Sequence, residues 1–90
     1  MDRALSAGDV PAFFAAARGA LQQRLGAAWG IVPGAITLAE IERRVQGTQL
    51  GTFRGVFEAD AARFGVGIQD QELAHWNDAV RHALAHPEGP

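Results

Sequence analysis

Cysteine is missing altogether, and with it go disulfides, thiolate nucleophiles and zinc–thiolate sites. That suits a reducing compartment without demanding one. Lysine is missing too. All eight basic residues are arginines spread along the chain, and the net charge is −2, so no concentrated basic surface of the kind that grips a nucleic-acid backbone stands out. No apolar run approaches the ~18–20 residues that span a bilayer. The start, Met1-Asp2-Arg3-Ala4-Leu5, is too short and too polar for a signal peptide. A P-loop, a dinucleotide-binding glycine fingerprint, a nucleophile elbow and a catalytic carboxylate pair are all lacking. Gly65-Val66-Gly67 has neither the further glycine nor the strand context of such a loop and reads as a turn. These absences lead to the expectation of a non-catalytic domain without a cofactor.

What is present is a chain of 90 residues, 48% of them hydrophobic, enough for one domain with one modest core. The apolar residues recur at helical spacing. Val10, Phe14, Ala17, Leu21, Leu25 and Ala28 step by three or four, which predicts a helix from about Asp9 to Trp29, with Phe13 and Trp29 widening its stripe and Arg18 and Gln22 on the other side. Asp9 is placed to cap it, Pro11 falls in its first turn, and Gly30 with Pro33 stops it. Thr37-Leu38-Ala39-Glu40 has the form of a capping box, flanked by Ile36 and Ile41 as a hydrophobic staple. A short helix follows to near Gln46-Gly47, with Arg43 and Arg44 in its last turns, where positive charge suits the macrodipole.

A third helix is predicted from about Gln49 to Phe64, with Thr48 as its cap and Leu50, Phe53, Phe57, Ala61 and Phe64 as its stripe. Gly51 and Gly55 weaken it, and mark either a frayed start or a close approach. A fourth runs from about Asp70 to Ala85, lined by Leu73, Trp76, Val80 and Leu84. No stretch alternates long enough for a strand, and no repeat is present. The expectation is therefore an all-α fold, a compact bundle of about four helices forming a single domain over 1–90 with an ordered core at about 5–86. Phe57 and Trp76 are expected to be its most buried positions. The abrupt start and the tail His86-Pro87-Glu88-Gly89-Pro90 suggest a piece of a longer chain.

Four features invite a chemical reading. His75, His82 and His86 share one narrow face of the last predicted helix, and His82 with His86, four apart, are the candidate metal ligands. The stripe lies away from the apolar face and lacks a closed ligand set, so a solvated face is favoured. Asp60 and Arg63 stand three apart beside the apolar face. With no nucleophile or base beside them they read as structural, either an intrahelical ion pair or a tie to a neighbouring helix. The aromatics sit at core spacings. The segment Ile36–Phe57 has the form of a helix-turn-helix, in which Gln49, Thr52 and Arg54 would face the nucleic acid, with Glu58 and Asp60 against it. This leaves an alternative reading open: a free-standing helical regulator that binds nucleic acid.

The blocks Ala7-Gly8-Asp9, Phe13-Phe14-Ala15-Ala16-Ala17-Arg18, Ala20-Leu21, Arg24-Leu25, Trp29-Gly30, Ile36-Thr37-Leu38-Ala39-Glu40-Ile41 and Phe57-Glu58-Ala59-Asp60-Ala61-Ala62-Arg63-Phe64-Gly65 follow one another in a familiar order. Together they resemble the C-terminal cytosolic region of BatD proteins, the oxygen-tolerance family of the Bacteroides-aerotolerance type. The motifs consist of helix-packing residues. The resemblance implies a cytoplasmic tail that follows a transmembrane helix at the bacterial inner membrane. It also implies a docking or scaffold role beside MoxR-type AAA+ ATPases and von Willebrand A-domain proteins encoded with the family. It supplies no catalytic residues, and Thr37, Glu40, Phe57, Asp60, Arg63 and Trp76 are then structural. The outer faces left by the core carry Arg18, Glu42, Arg43, Arg44, Arg54 and Glu58. Of these, Arg43, Arg44 and Arg54 are the candidate partner surface, since mixed arginine and acidic surfaces suit specific docking.

Overall fold

A computed structural model describes residues 2–62 and 70–86. Five helices appear among them and no strand: α1 (Asp2–Ala7), α2 (Val10–Trp29), α3 (Leu38–Arg44), α4 (Thr48–Ala62) and α5 (Asp70–Ala85), with a single 3-10 turn at Pro33–Ala35 between α2 and α3. The all-α bundle expected from the periodicity is what forms, with one helix more than the pattern shows. The radius of gyration, 12.3 Å, is that of a compact chain of this length.

The extra helix is α1. It spans less than two turns, too short to carry a readable period, and it stands by packing Ala4 and Leu5 against the core. It closes with Gly8 at φ 67°, where the Gly8 N–H donates to Leu5 O and the Asp9 N–H to Ala4 O. That paired pattern is a Schellman closure. The same Asp9 then caps α2, its carboxylate accepting from the Ala12 N–H at 3.2 Å. One glycine and one aspartate thus end a helix and begin the next.

α2 is the spine, packed against α1, α4 and α5. Its core residues are Val10, Phe13, Phe14, Ala17, Leu21 and Leu25, but Ala28 of the predicted stripe is exposed. Arg18 and Gln22 do not lie on an outer side. Both are partly covered and reach to neighbouring segments, because a long side chain at the stripe's edge can lie along apolar surface and place its polar end on a partner. Gly30, at φ 67° and ψ 33°, ends α2 as expected.

The aromatic order of burial differs from expectation. Phe13, Phe14 and Phe53 are the most enclosed rings and Phe57 is buried, but Trp76 is only half-buried. Its indole meets Phe14 edge-on, with ring centroids 5.6 Å apart, and lies across Gly55, where an added Cβ would collide with it. A ring this large extends past the core to the rim. Gly55 therefore marks a close approach, whereas Gly51 meets nothing within 4 Å. On α4, Ala61 is exposed instead of lining the core, while Gln49 takes a buried place. Asn77 does the same on α5. Both Gln49 amide atoms and the Asn77 carbonyl oxygen are enclosed without a hydrogen-bond partner. Phe64, Gly65-Val66-Gly67 and Ile68 lie outside the described residues, as do the side chains of Thr48 and Asp70 as proposed caps.

At the far end of α5, Arg24 of α2 donates from Nε to Leu84 O at 3.1 Å, satisfying one of the carbonyls that a helix C-terminus leaves open. Among the described residues, no helix is long and apolar enough to cross a membrane.

Candidate functional site

α3 is seven residues long and forms only because both its ends and its inner face are held. Thr37 adopts an extended backbone and its hydroxyl accepts from the Glu40 N–H at 3.2 Å. Ile36 and Ile41 are buried on either side of the cap, and Val45 is buried just past the end. With Ile41 turned in, Glu40, Arg43 and Arg44 lie together on the outer surface, at the i, i+3 and i+4 positions that neighbour one another on a helix.

The capping box is used in only one direction. The Glu40 carboxylate binds the two arginines that follow it, at 3.2 Å from Arg43 Nη1 and 2.8 Å from Arg44 Nε. Charge attraction to two guanidinium groups draws it along its own helix. Arg44 also lies over the Trp29 ring at 4.8 Å, joining α3 to the end of α2. From α4, Arg54 Nη2 reaches Glu42 at 2.7 Å. Of the three arginines proposed as a partner surface, Arg43 and Arg44 lie together beside Glu40, whereas Arg54 of α4 meets Glu42, which helical rotation sets on another side of α3. Each holds an acidic residue of that helix, and Arg43, with 78% of its side chain exposed, is the most open of them.

Asp60 makes the inter-helix tie that was one of its two expected roles. Its carboxylate accepts from Arg18 Nη1 at 3.0 Å, across 42 residues of sequence. The same guanidinium sits 4.9 Å from the Phe57 ring centre. Both groups are partly open to solvent, so the pair contributes about 1 kcal/mol at most. Beside it lies a shallow cleft of about 250 Å³, lined by Arg18, Thr37, Leu38, Phe57, Glu58 and Ala61. The Thr37 hydroxyl there is already engaged as the α3 cap. Arg63, the other half of the expected pair, lies outside the described residues.

His75, His82 and His86 are all exposed, as their spacing predicts. The rings of His82 and His86 come within 5.0 Å of each other. Among the described residues, no group of three His, Asp or Glu side chains assembles that could hold a metal ion. The helix-turn-helix form does occur, since α3 leads through Gly47, at φ 82°, into α4. Its would-be reading face is spent on the protein itself. Gln49 is buried and Arg54 is tied to Glu42.

Sequence reasoning missed three things here. They are the contact of Arg44 with Trp29, the exposure of Val32 on the loop that follows α2, and the burial of Gln49. The first joins segments whose relation no local pattern encodes. No protein-family model, no curated protein and no solved structure matches the chain.

Proposed function

We propose that this chain is a non-catalytic docking domain, the cytoplasmic interaction module of a membrane-anchored BatD-like aerotolerance protein at the bacterial inner membrane. The observation that carries the docking reading is the pairing of Arg43 and Arg44 around Glu40 on the open side of α3, on a helix held in place by its cap and its buried isoleucines. Charged side chains held by a rigid support give orientation and specificity to an encounter between proteins. The sequence resemblance supplies the partner class, a MoxR-type AAA+ ATPase or a von Willebrand A-domain protein of the same operon. Tethering beside a membrane raises effective concentration, so modest intrinsic affinity suffices.

The nucleic-acid alternative has less in its favour. Its reading face would need Gln49, which is buried, and the net charge is −2. The test is co-purification of the domain with each operon product, for the wild type and for Arg43 and Arg44 both reversed to glutamate. Retention of one product by the wild type and its loss in the variant is expected. If no operon product is retained by the domain or by its full-length parent, the reading fails.

A further inference from the structure

α5 finishes on two histidines one turn apart, His82 and His86, and their rings come together, with centroids 5.0 Å apart and planes inclined at 48°. Side chains four apart on a helix start from Cβ atoms about 5–6 Å from each other, so two imidazoles there can aim ring nitrogens at one point. The helical spacing holds to the last residue of the pair, because the His86 N–H donates to His82 O at 3.0 Å. Arg24 of α2 anchors the same turn by donating to Leu84 O. Both histidines are exposed. Among the described residues, neither ring is hydrogen-bonded or ion-paired to another group, so the ring nitrogens are open to a ligand.

The donor set defines the class of ligand. Imidazole suits Cu2+, Ni2+ and Zn2+, whereas Ca2+ and Mg2+ take oxygen ligands. The place also suits a cation. The carbonyl end of a helix carries partial negative charge, and the exposed Asp78 stands one turn before His82 on the same helix.

We propose that His82 and His86 of one chain chelate a single divalent transition-metal ion, which clamps the last turn of α5. No third His, Asp or Glu side chain completes the set among the described residues, so water fills the other coordination positions. Such an open site exchanges its ion and holds it more weakly than a closed four-ligand structural site. Binding to the folded chain stabilises it by mass action. The site is independent of the docking reading, and either stands if the other fails.

The experiment titrates the whole chain, free of any affinity tag, with Cu2+, Ni2+ and Zn2+ in turn by calorimetry. One ion per chain is expected, with Cu2+ bound most tightly. The melting temperature should rise with the concentration of added metal, and Mg2+ or Ca2+ should not move it. His82→Gln and His86→Gln should each weaken binding about tenfold or more, since even loss of an outer-shell partner costs about 10–100-fold. Both positions are exposed, so the metal-free melts of these variants should match the wild type. His75→Gln, seven residues before His82 and also exposed, should leave binding unchanged. Absence of binding, binding that survives both variants, or an equal loss in His75→Gln would overturn the proposal. So would one ion per two chains with a metal-dependent dimer in sedimentation, because the ion would then bridge two copies instead of clamping one helix.

Discussion

Trp76 and Trp29 are both half-buried, and each is covered in a different way. Trp76 meets Phe14 edge-on and lies across the bare backbone of Gly55, so its neighbours are the apolar core. Trp29 also packs against the core, but the guanidinium of Arg44, itself held by Glu40, lies over its ring. An aromatic wall cannot leave without opening a cavity. An arginine can exchange its partner for a ligand's carboxylate at little cost, because its surroundings are already half solvent. Similar burial therefore conceals two kinds of cover, an apolar wall for Trp76 and a charged group for one side of Trp29.

The comparison is tested most strongly by deleting each ring. Trp76→Ala should cost about 3 kcal/mol or more, the loss of a large core-packed side chain. Trp29→Ala should cost about half as much or less, since one side of the ring faces a half-exposed guanidinium instead of the core. Chemical denaturation of both variants measures the difference. Equal losses would mean that Trp29 is as structural as Trp76.

A second pair of variants sharpens the account of Trp76. On α4, Gly55→Ala places a methyl group where the indole lies, whereas Gly51→Ala meets open space on the same helix. Alanine is favoured over glycine in a helix by about 1 kcal/mol. Gly51→Ala should therefore raise the midpoint of denaturation. Gly55→Ala should lower the stability by about 1–3 kcal/mol, the usual cost of overpacking. A stabilised Gly55→Ala variant would show that the ring is free to move aside.

On the α3 side the corresponding test is the cap. Thr37→Ala removes the hydroxyl that holds the Glu40 N–H, at a cost of about 1 kcal/mol. Thr37→Ser should recover most of it. Because Arg43 and Arg44 depend on α3 for their placement, the alanine variant should also weaken capture of any partner of this face more than its stability loss explains. Melting curves and pull-downs on the same samples separate the two effects.

How far the sequence discloses these features depends on how local their causes are. Thr37 with Glu40, Asp9 with Pro11, and Gly30 each act within a few residues, and their roles are readable from spacing alone. The stripe of α5 gives the correct face but not the depth, so Trp76 is expected deeper than it lies. Arg18 looks outward because helical period knows nothing of Asp60, 42 residues away. The six residues of α1 hold too little pattern to declare a helix. Gln49 and Asn77 occupy core positions that polarity alone would assign to the surface. The surface of α3 is legible as a set of arginines. Its contact with Trp29 is not, since it depends on how the loop from Gly30 to Ile36 folds back onto α2.

The smallest expected effect on stability is the one that bears most on function. Arg44→Ala removes an exposed ion pair with Glu40, worth about 0.3–0.5 kcal/mol between helix neighbours. It also removes a cation–π contact at an open site, worth about 0.5–1 kcal/mol. Glu40 keeps Arg43 as a partner, so no charge is stranded, and the net loss should be about 1 kcal/mol. Trp29 fluorescence should change as its cover leaves, while the melting curve hardly moves. If this face docks a partner, the same variant should lose several-fold in affinity, and Arg44→Lys should recover only part of it, because an ammonium lacks the planar fork of a guanidinium. The ratio of the two effects decides the assignment. A variant that loses stability and binding in proportion would make Arg44 a structural residue, and the likeness between the two tryptophans would then be real.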